Sequence, residues 1–201
     1  IKALQQKGFQ PLIVDVKEQT SCIDPSLVEK ALLEKPQAII VSHPLGFVPN
    51  LEELSGFGLP IVEDLSSGFG SHTGSRKSGT YGRFTVVRLE PEDMLTAGGG
   101  TAVLSVQKRD LGILRKIADQ LSPTVKLPDF NAALGLSQLH SLEQEIHRRK
   151  ELASLYTAAL AKGRHKTLVQ EGDAENRIYS FPVTFSLGAR DAVSYAKKMG
   201  I

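Results

Sequence analysis

The chain has no tryptophan and only one cysteine among its 201 residues. A single thiol, Cys22, excludes an intrachain disulfide and a thiolate zinc site. No histidine or arginine adjoins it in Ser21-Cys22-Ile23, so it reads as a small part-buried side chain and not a nucleophile. An excess of one charge sign is also lacking. Lys and Arg number 24 against 22 Asp and Glu, a net +2, so no nucleic-acid partner is expected. The basic run His147-Arg148-Arg149-Lys150 falls on a helical pattern and reads as a solvated face. No apolar run approaches the ~18 residues that span a bilayer. No secretory signal is visible either. A protein with no membrane partner and a cytoplasmic location is expected. What is present, 41% hydrophobic and 23% charged residues, is enough for an ordinary globular core. The chain opens at Ile1-Lys2-Ala3 within a helix-like pattern and stops just after another, so it is expected to be an excerpt of a longer protein.

From Ile1 to about Val106, short apolar runs alternate with helical segments. Leu12–Val16, Ala38–Val41, Pro60–Asp64, Phe84–Leu89 and Thr101–Val106 read as strands. Ala38-Ile39-Ile40-Val41 is apolar at every position, as expected for a strand covered on both faces. Asp24-Pro25-Ser26 supplies a cap and a first-turn proline for one helix, and Asn50 can cap another. This alternation predicts an α/β fold: three layers around a mostly parallel sheet, with ligands at the carboxyl ends of the strands. Asp64 ends one such strand, and the acidic segment Glu90 to Asp93 follows the next.

After Lys108 the period becomes helical. Leu111, Leu114, Ile117 and Leu121 form one stripe. Leu136, Leu139, Leu142, Ile146, Ala153, Tyr156 and Leu160 form a longer one, closed by Gly163. Ile178–Phe185 reads as a strand and Asp191–Met199 as a helix. The expected organisation is a large-domain part over 1–130, a long linking helix over 131–163 and the beginning of a small C-terminal domain over 164–201.

Several segments in order resemble the DegT/DnrJ/EryC1/StrS sugar aminotransferases. They are Ala38-Ile39-Ile40-Val41-Ser42-His43 through Gly46, Gly58-Leu59-Pro60-Ile61-Val62-Glu63-Asp64, Ser78-Gly79-Thr80-Tyr81-Gly82, Ala132–Leu139 and Glu145–Lys150. These enzymes are fold-type-I proteins that use pyridoxal phosphate. The resemblance implies the aspartate aminotransferase-like large domain, that cofactor, a homodimer and a nucleotide-linked sugar as ligand.

Carried over residue by residue, the resemblance makes Asp64, Ser67 and Arg88 the cofactor-binding positions. Asp64 matches the aspartate that pairs with the pyridine nitrogen, where a carboxylate keeps the ring an electron sink. By its position alone Asp64 could also simply cap the turn after its strand. Ser67 stands where the family has Gln. Arg88 stands where the family has a phosphate-binding Ser. A guanidinium can hold a phosphate bidentately; pairing with Glu90 or Glu92 is the preferred expectation. The lysine that forms the Schiff base has no counterpart. Aligned from Tyr81-Gly82 its position falls on Asp93, and aligned from Gly99-Gly100 it falls on Glu92. A carboxylate cannot form an imine. The expected function is therefore an aminotransferase-like protein that has lost catalysis. The alternatives are a working aminotransferase on a nucleotide-linked keto sugar, and a non-catalytic binder of nucleotide sugars.

Overall fold

The computed structural model describes residues 1–186 and 188–201. In chain order the elements are α1 (Lys2–Gln6), α2 (Pro25–Ala31), β1 (Ile39–Ser42), α3 (Leu51–Gly56), β2 (Ile61–Asp64), β3 (His72–Thr73), β4 (Arg76–Lys77), β5 (Phe84–Arg88) and β6 (Thr101–Leu104). They continue with α4 (Lys108–Gln120), α5 (Asp129–Leu160), β7 (Lys166–Thr167), β8 (Ala174–Glu175), β9 (Val183–Thr184) and α6 (Ala189–Lys198). The caps foreseen from the sequence form. Asp24 Oδ1 accepts from the Ser26 amide at 2.9 Å, and Asn50 Oδ1 accepts from the Glu53 amide at 3.2 Å.

The main sheet has the order β1-β2-β5-β6. The first three strands are parallel and β6 runs antiparallel to β5. The fold is thus mixed α/β with a mostly parallel sheet. Its principal core joins Ile39, Val41 and Ile61 of the sheet to Val28 of α2 and to Leu51 and Leu54 of α3. A second cluster gathers Leu65, Val87, Leu89, Leu95 and Ala97 around the turn that joins β5 to β6. Met94 then packs on Leu142 and Ile146 of α5. Cys22 is buried, and burial pushes its thiol up to about 11, which makes it a poor nucleophile at neutral pH.

Three expectations fail, the first two for lack of a neighbour and the third because Ile178 takes a left-handed φ of +51°. Leu12–Val16 forms no strand; Val16 makes an isolated bridge to Ile23, and Ile13 remains 72% exposed. β1 is buried on alternate residues only, with Ile40 half-exposed, because α2 and α3 cover one face. Ile178–Phe185 is reduced to the two residues of β9, paired with β7. The α5 stripe also splits. Leu142, Ile146 and Ala153 are buried, whereas Leu136, Leu139 and Tyr156 are exposed. Among the described residues, no helix is long and apolar enough to cross a membrane.

Candidate active-site cleft

Parallel pairing brings the carboxyl ends of β1, β2 and β5 together. Ser42 pairs with Asp64, and Asp64 with Val86. Arg88 lies two residues beyond Val86 and so shares its face of the sheet. Ser42, His43, Pro44, Asp64, Ser66, Ser67 and Arg88 line a cleft of about 150 Å³. The three positions singled out from the sequence, Asp64, Ser67 and Arg88, therefore meet in one place. No lysine is among the lining residues.

Asp64 is exposed at the end of β2. Its Oδ1 accepts from the Ser66 amide at 3.1 Å and from Ser66 Oγ at 2.6 Å, an Asx turn. Ser66 Oγ in turn accepts from the Arg88 amide at 3.0 Å. One serine thus ties the end of β2 to the end of β5.

Arg88 does not pair with Glu90 or Glu92, the partners expected from the sequence. Its Nη2 donates to Asp93 Oδ1 at 2.7 Å and its Nε to Asp93 Oδ2 at 2.9 Å. The reason is the reverse turn after β5. The Asp93 amide donates to the Glu90 carbonyl at 3.0 Å, which folds Asp93 back under Arg88 and leaves Glu92 facing solvent. Asp93 Oδ2 also accepts from the Glu90 amide at 2.8 Å, and Tyr179 Oη stands 3.5 Å from Oδ1. The Asp93 side chain is only 1% exposed. Of the two candidates for the lysine position, Asp93 points inward and Glu92 does not.

Arg88→Met and Asp93→Ala are each expected to lower the thermal midpoint, and the double variant is expected to lose less than the sum of the two. Neighbours that share an interaction are not additive. Melting the four proteins of the cycle checks this; strict additivity would show that the pair contributes nothing.

Beneath the cleft lies a buried pair that the sequence reading did not single out. His43 and Glu63 are fully buried, with His43 Nε2 at 3.5 Å from Glu63 Oε2. That is too long for a well-formed hydrogen bond, and neither ring nitrogen has another partner among the described residues. Glu63 is better served. Its Oε2 accepts from the Gly79 amide at 2.7 Å, and its Oε1 accepts from the Tyr81 and Gly82 amides. Burial works to raise the Glu63 carboxyl, but the facing His43 and the Gly79 and Gly82 amides outweigh it. The carboxyl is held below its usual range. A signal existed in the sequence: Glu63 takes the inward parity of Ile61 in a short strand, where a charge needs dedicated partners.

A segment from the C-terminal part straps the cleft. Arg149 Nη1 donates to the carbonyls of Ile178 and Tyr179 at 3.3 and 3.1 Å. Ser180 Oγ donates to the Leu45 carbonyl at 3.3 Å, and Arg177 Nε to the Gly70 carbonyl at 2.6 Å.

The model of the DegT/DnrJ/EryC1/StrS aminotransferase family matches residues 1–199. This chain belongs to that family. It is 28% identical over 198 residues to an L-glutamine:2-deoxy-scyllo-inosose aminotransferase of Micromonospora echinospora, covering 85% of this chain and 47% of the relative. It is 27% identical to the lipopolysaccharide biosynthesis protein RfbH of Salmonella typhimurium, covering 72% of this chain and 43% of that protein. Among solved structures, S. venezuelae DesV in complex with a ketimine intermediate superposes with a TM-score of 0.88 at 26% identity. All of this chain and 58% of that one are covered. A Brucella abortus family member superposes equally well at 20% identity, a likeness of fold. This DegT-family chain spans about half the length of the curated relatives it matches.

Proposed function

We propose that this DegT-family chain keeps the aminotransferase scaffold without Schiff-base chemistry. The observation that carries this reading is Asp93, a buried carboxylate at one of the two positions matched to the lysine, engaged on both oxygens by Arg88. Covalent attachment of pyridoxal phosphate needs an amine there, and a carboxylate offers none. The cleft is poorly suited to the cofactor in two further respects. Asp93 neutralises Arg88, so with Asp64 the three charged side chains leave one net negative charge, which opposes a phosphate. The volume of about 150 Å³ is also below the ~300–1,000 Å³ usual for small-molecule sites.

The expected result is direct. Incubation with pyridoxal phosphate produces no imine absorption, and borohydride leaves no cofactor adduct by mass spectrometry. A reduced adduct on any lysine bordering the cleft would overturn the proposal.

A second reading is an aminotransferase acting on a sugar or a cyclic polyol, with the amine supplied from elsewhere. The 2-deoxy-scyllo-inosose and scyllo-inosose aminotransferases among the relatives favour it, as does the retained Asp64. Amino transfer from glutamine to such a ketone by the intact protein is the deciding measurement. Its absence in folded protein would sink this second reading.

A further inference from the structure

A second cavity, larger than the cleft, lies at the other end of the sheet. It is a depression of about 510 Å³ at the amino ends of β2 and β5, bordered by Leu59, Pro60, Ile61, Arg76, Arg83 and Val106. Its size falls within the ~300–1,000 Å³ of small-molecule sites. We propose that it binds a small organic anion, with the oxyanion on Arg76 and the apolar body against Leu59 and Pro60.

The two guanidiniums at its rim are in different electrostatic states. Arg83 is committed, with Nε and Nη2 donating to Asp110 at 2.8 and 2.7 Å. Arg76 has no carboxylate at ion-pair distance among the described residues, and no acidic side chain lines the depression. Arg76 is nevertheless held in place. Its Nη2 donates to the Thr80 carbonyl at 2.9 Å, and its guanidinium lies 3.8 Å above the centre of the Tyr81 ring. A fixed, un-neutralised guanidinium retains several N–H donors in the planar fork that matches carboxylate or phosphate. The neighbouring hydroxyls do not compete for that role. Ser55 Oγ donates to the Leu51 carbonyl and Thr80 Oγ1 to the Lys77 carbonyl. The aliphatic walls offer nothing to a bare inorganic ion but remove an alkyl group from water. Charge and wall together select an anion that carries an apolar body.

The test is a set of titrations of the ¹⁵N-labelled chain with hexanoate, hexyl phosphate, hexan-1-ol and inorganic phosphate. The amides of Gly58, Gly82 and Gln107 report binding. Saturable shifts with hexanoate, hexyl phosphate or both are expected, and which of them binds tighter distinguishes a carboxylate from a phosphomonoester ligand. Binding at least tenfold weaker is expected for hexan-1-ol, for inorganic phosphate, and for either hexyl anion with the Arg76→Gln variant. Val106→Glu, on a side chain 61% exposed, places a carboxylate in the depression without disturbing the core and is expected to abolish binding. The proposal is overturned by the absence of saturable shifts with both hexyl anions, or by wild-type affinity in Arg76→Gln. It is equally overturned if inorganic phosphate binds as tightly as the hexyl anions, since the walls would then have no role.

Discussion

Replacing Glu63 by glutamine is expected to destabilise the protein by about 3–5 kcal/mol, since two or three buried polar groups lose their partners at about 1–3 kcal/mol each. For a domain of this size that lowers the thermal midpoint by about 6–20 °C. The two side chains have nearly the same shape, so the effect isolates charge and hydrogen bonding. Glu63 uses both oxygens as acceptors, one for the Gly79 amide and the other for the Tyr81 and Gly82 amides. Glutamine has one acceptor and one donor group. In either orientation its NH₂ confronts at least one of these amides, in a place no water reaches. The loop from Ser78 to Gly82, which is threaded over the carboxylate, loses its anchor.

The same residue sets a pH dependence. Its folded carboxyl lies below the usual glutamate value, because the facing His43 and the backbone amides outweigh the opposing effect of burial. A depressed acid stabilises the folded state fully above its unfolded value, about 4.3. That contribution is lost as pH falls through the folded value. Denaturant melts of wild type and Glu63→Gln should therefore differ most at neutral pH, and the gap should narrow below about pH 4. A gap that stays constant down to pH 2 would assign the effect to packing instead.

The elements that can be read from the sequence are those whose neighbours are already decided by local pattern. β1 and β2 are short apolar runs on either side of α3, and their parallel pairing in the main sheet follows from that alternation, whereas β2 reaches β5 through β3 and β4 with no helix between them. Asp64 and Arg88 meet because each ends a strand of that sheet. The rest depends on chain that is distant in sequence. Leu12–Val16 has a good strand pattern but finds no partner strand beyond the bridge at Val16. A β-pattern states what a surface would fit and not whether one is available. Arg88 chooses Asp93 over Glu90 and Glu92 because a reverse turn, and not sequence distance, decides which carboxylate comes back beneath it. The contact of Tyr179 with Asp93 joins residues 86 apart in the chain, and no local signal could have announced it.

The second large effect concerns that long-range contact. Gly46→Ala is expected to cost about 2–6 kcal/mol, from two sources that act together. Gly46 sits at a φ of +92°, where a side chain brings strain of about 1–3 kcal/mol. Its added Cβ would also lie 2.9 Å from both the backbone nitrogen and the Cβ of Tyr179, and overpacking of this kind costs about 1–3 kcal/mol. The atoms in the way belong to main chain, or are fixed to it, and cannot rotate aside. Relief has to come from lifting the strap at 177–180, which already carries Ile178 at a φ of +51°, unusual for a β-branched residue. The strap's bonds to Arg149, Leu45 and Gly70, and the packing of Tyr179 against Met94, Leu142 and Ile146, oppose that movement. Hydrogen exchange should therefore speed up at 177–180 in Gly46→Ala, while the amides of β2 and β5 stay protected. Gly56→Ala is the control. That glycine is helical, its added Cβ meets nothing within 4 Å, and the change should leave stability equal or slightly raised. If Gly46→Ala melts like the control and the strap keeps its protection, the strap is not seated on the turn at Gly46. Tyr179 would then have no fixed place over Asp93, and the cleft would be open on that side.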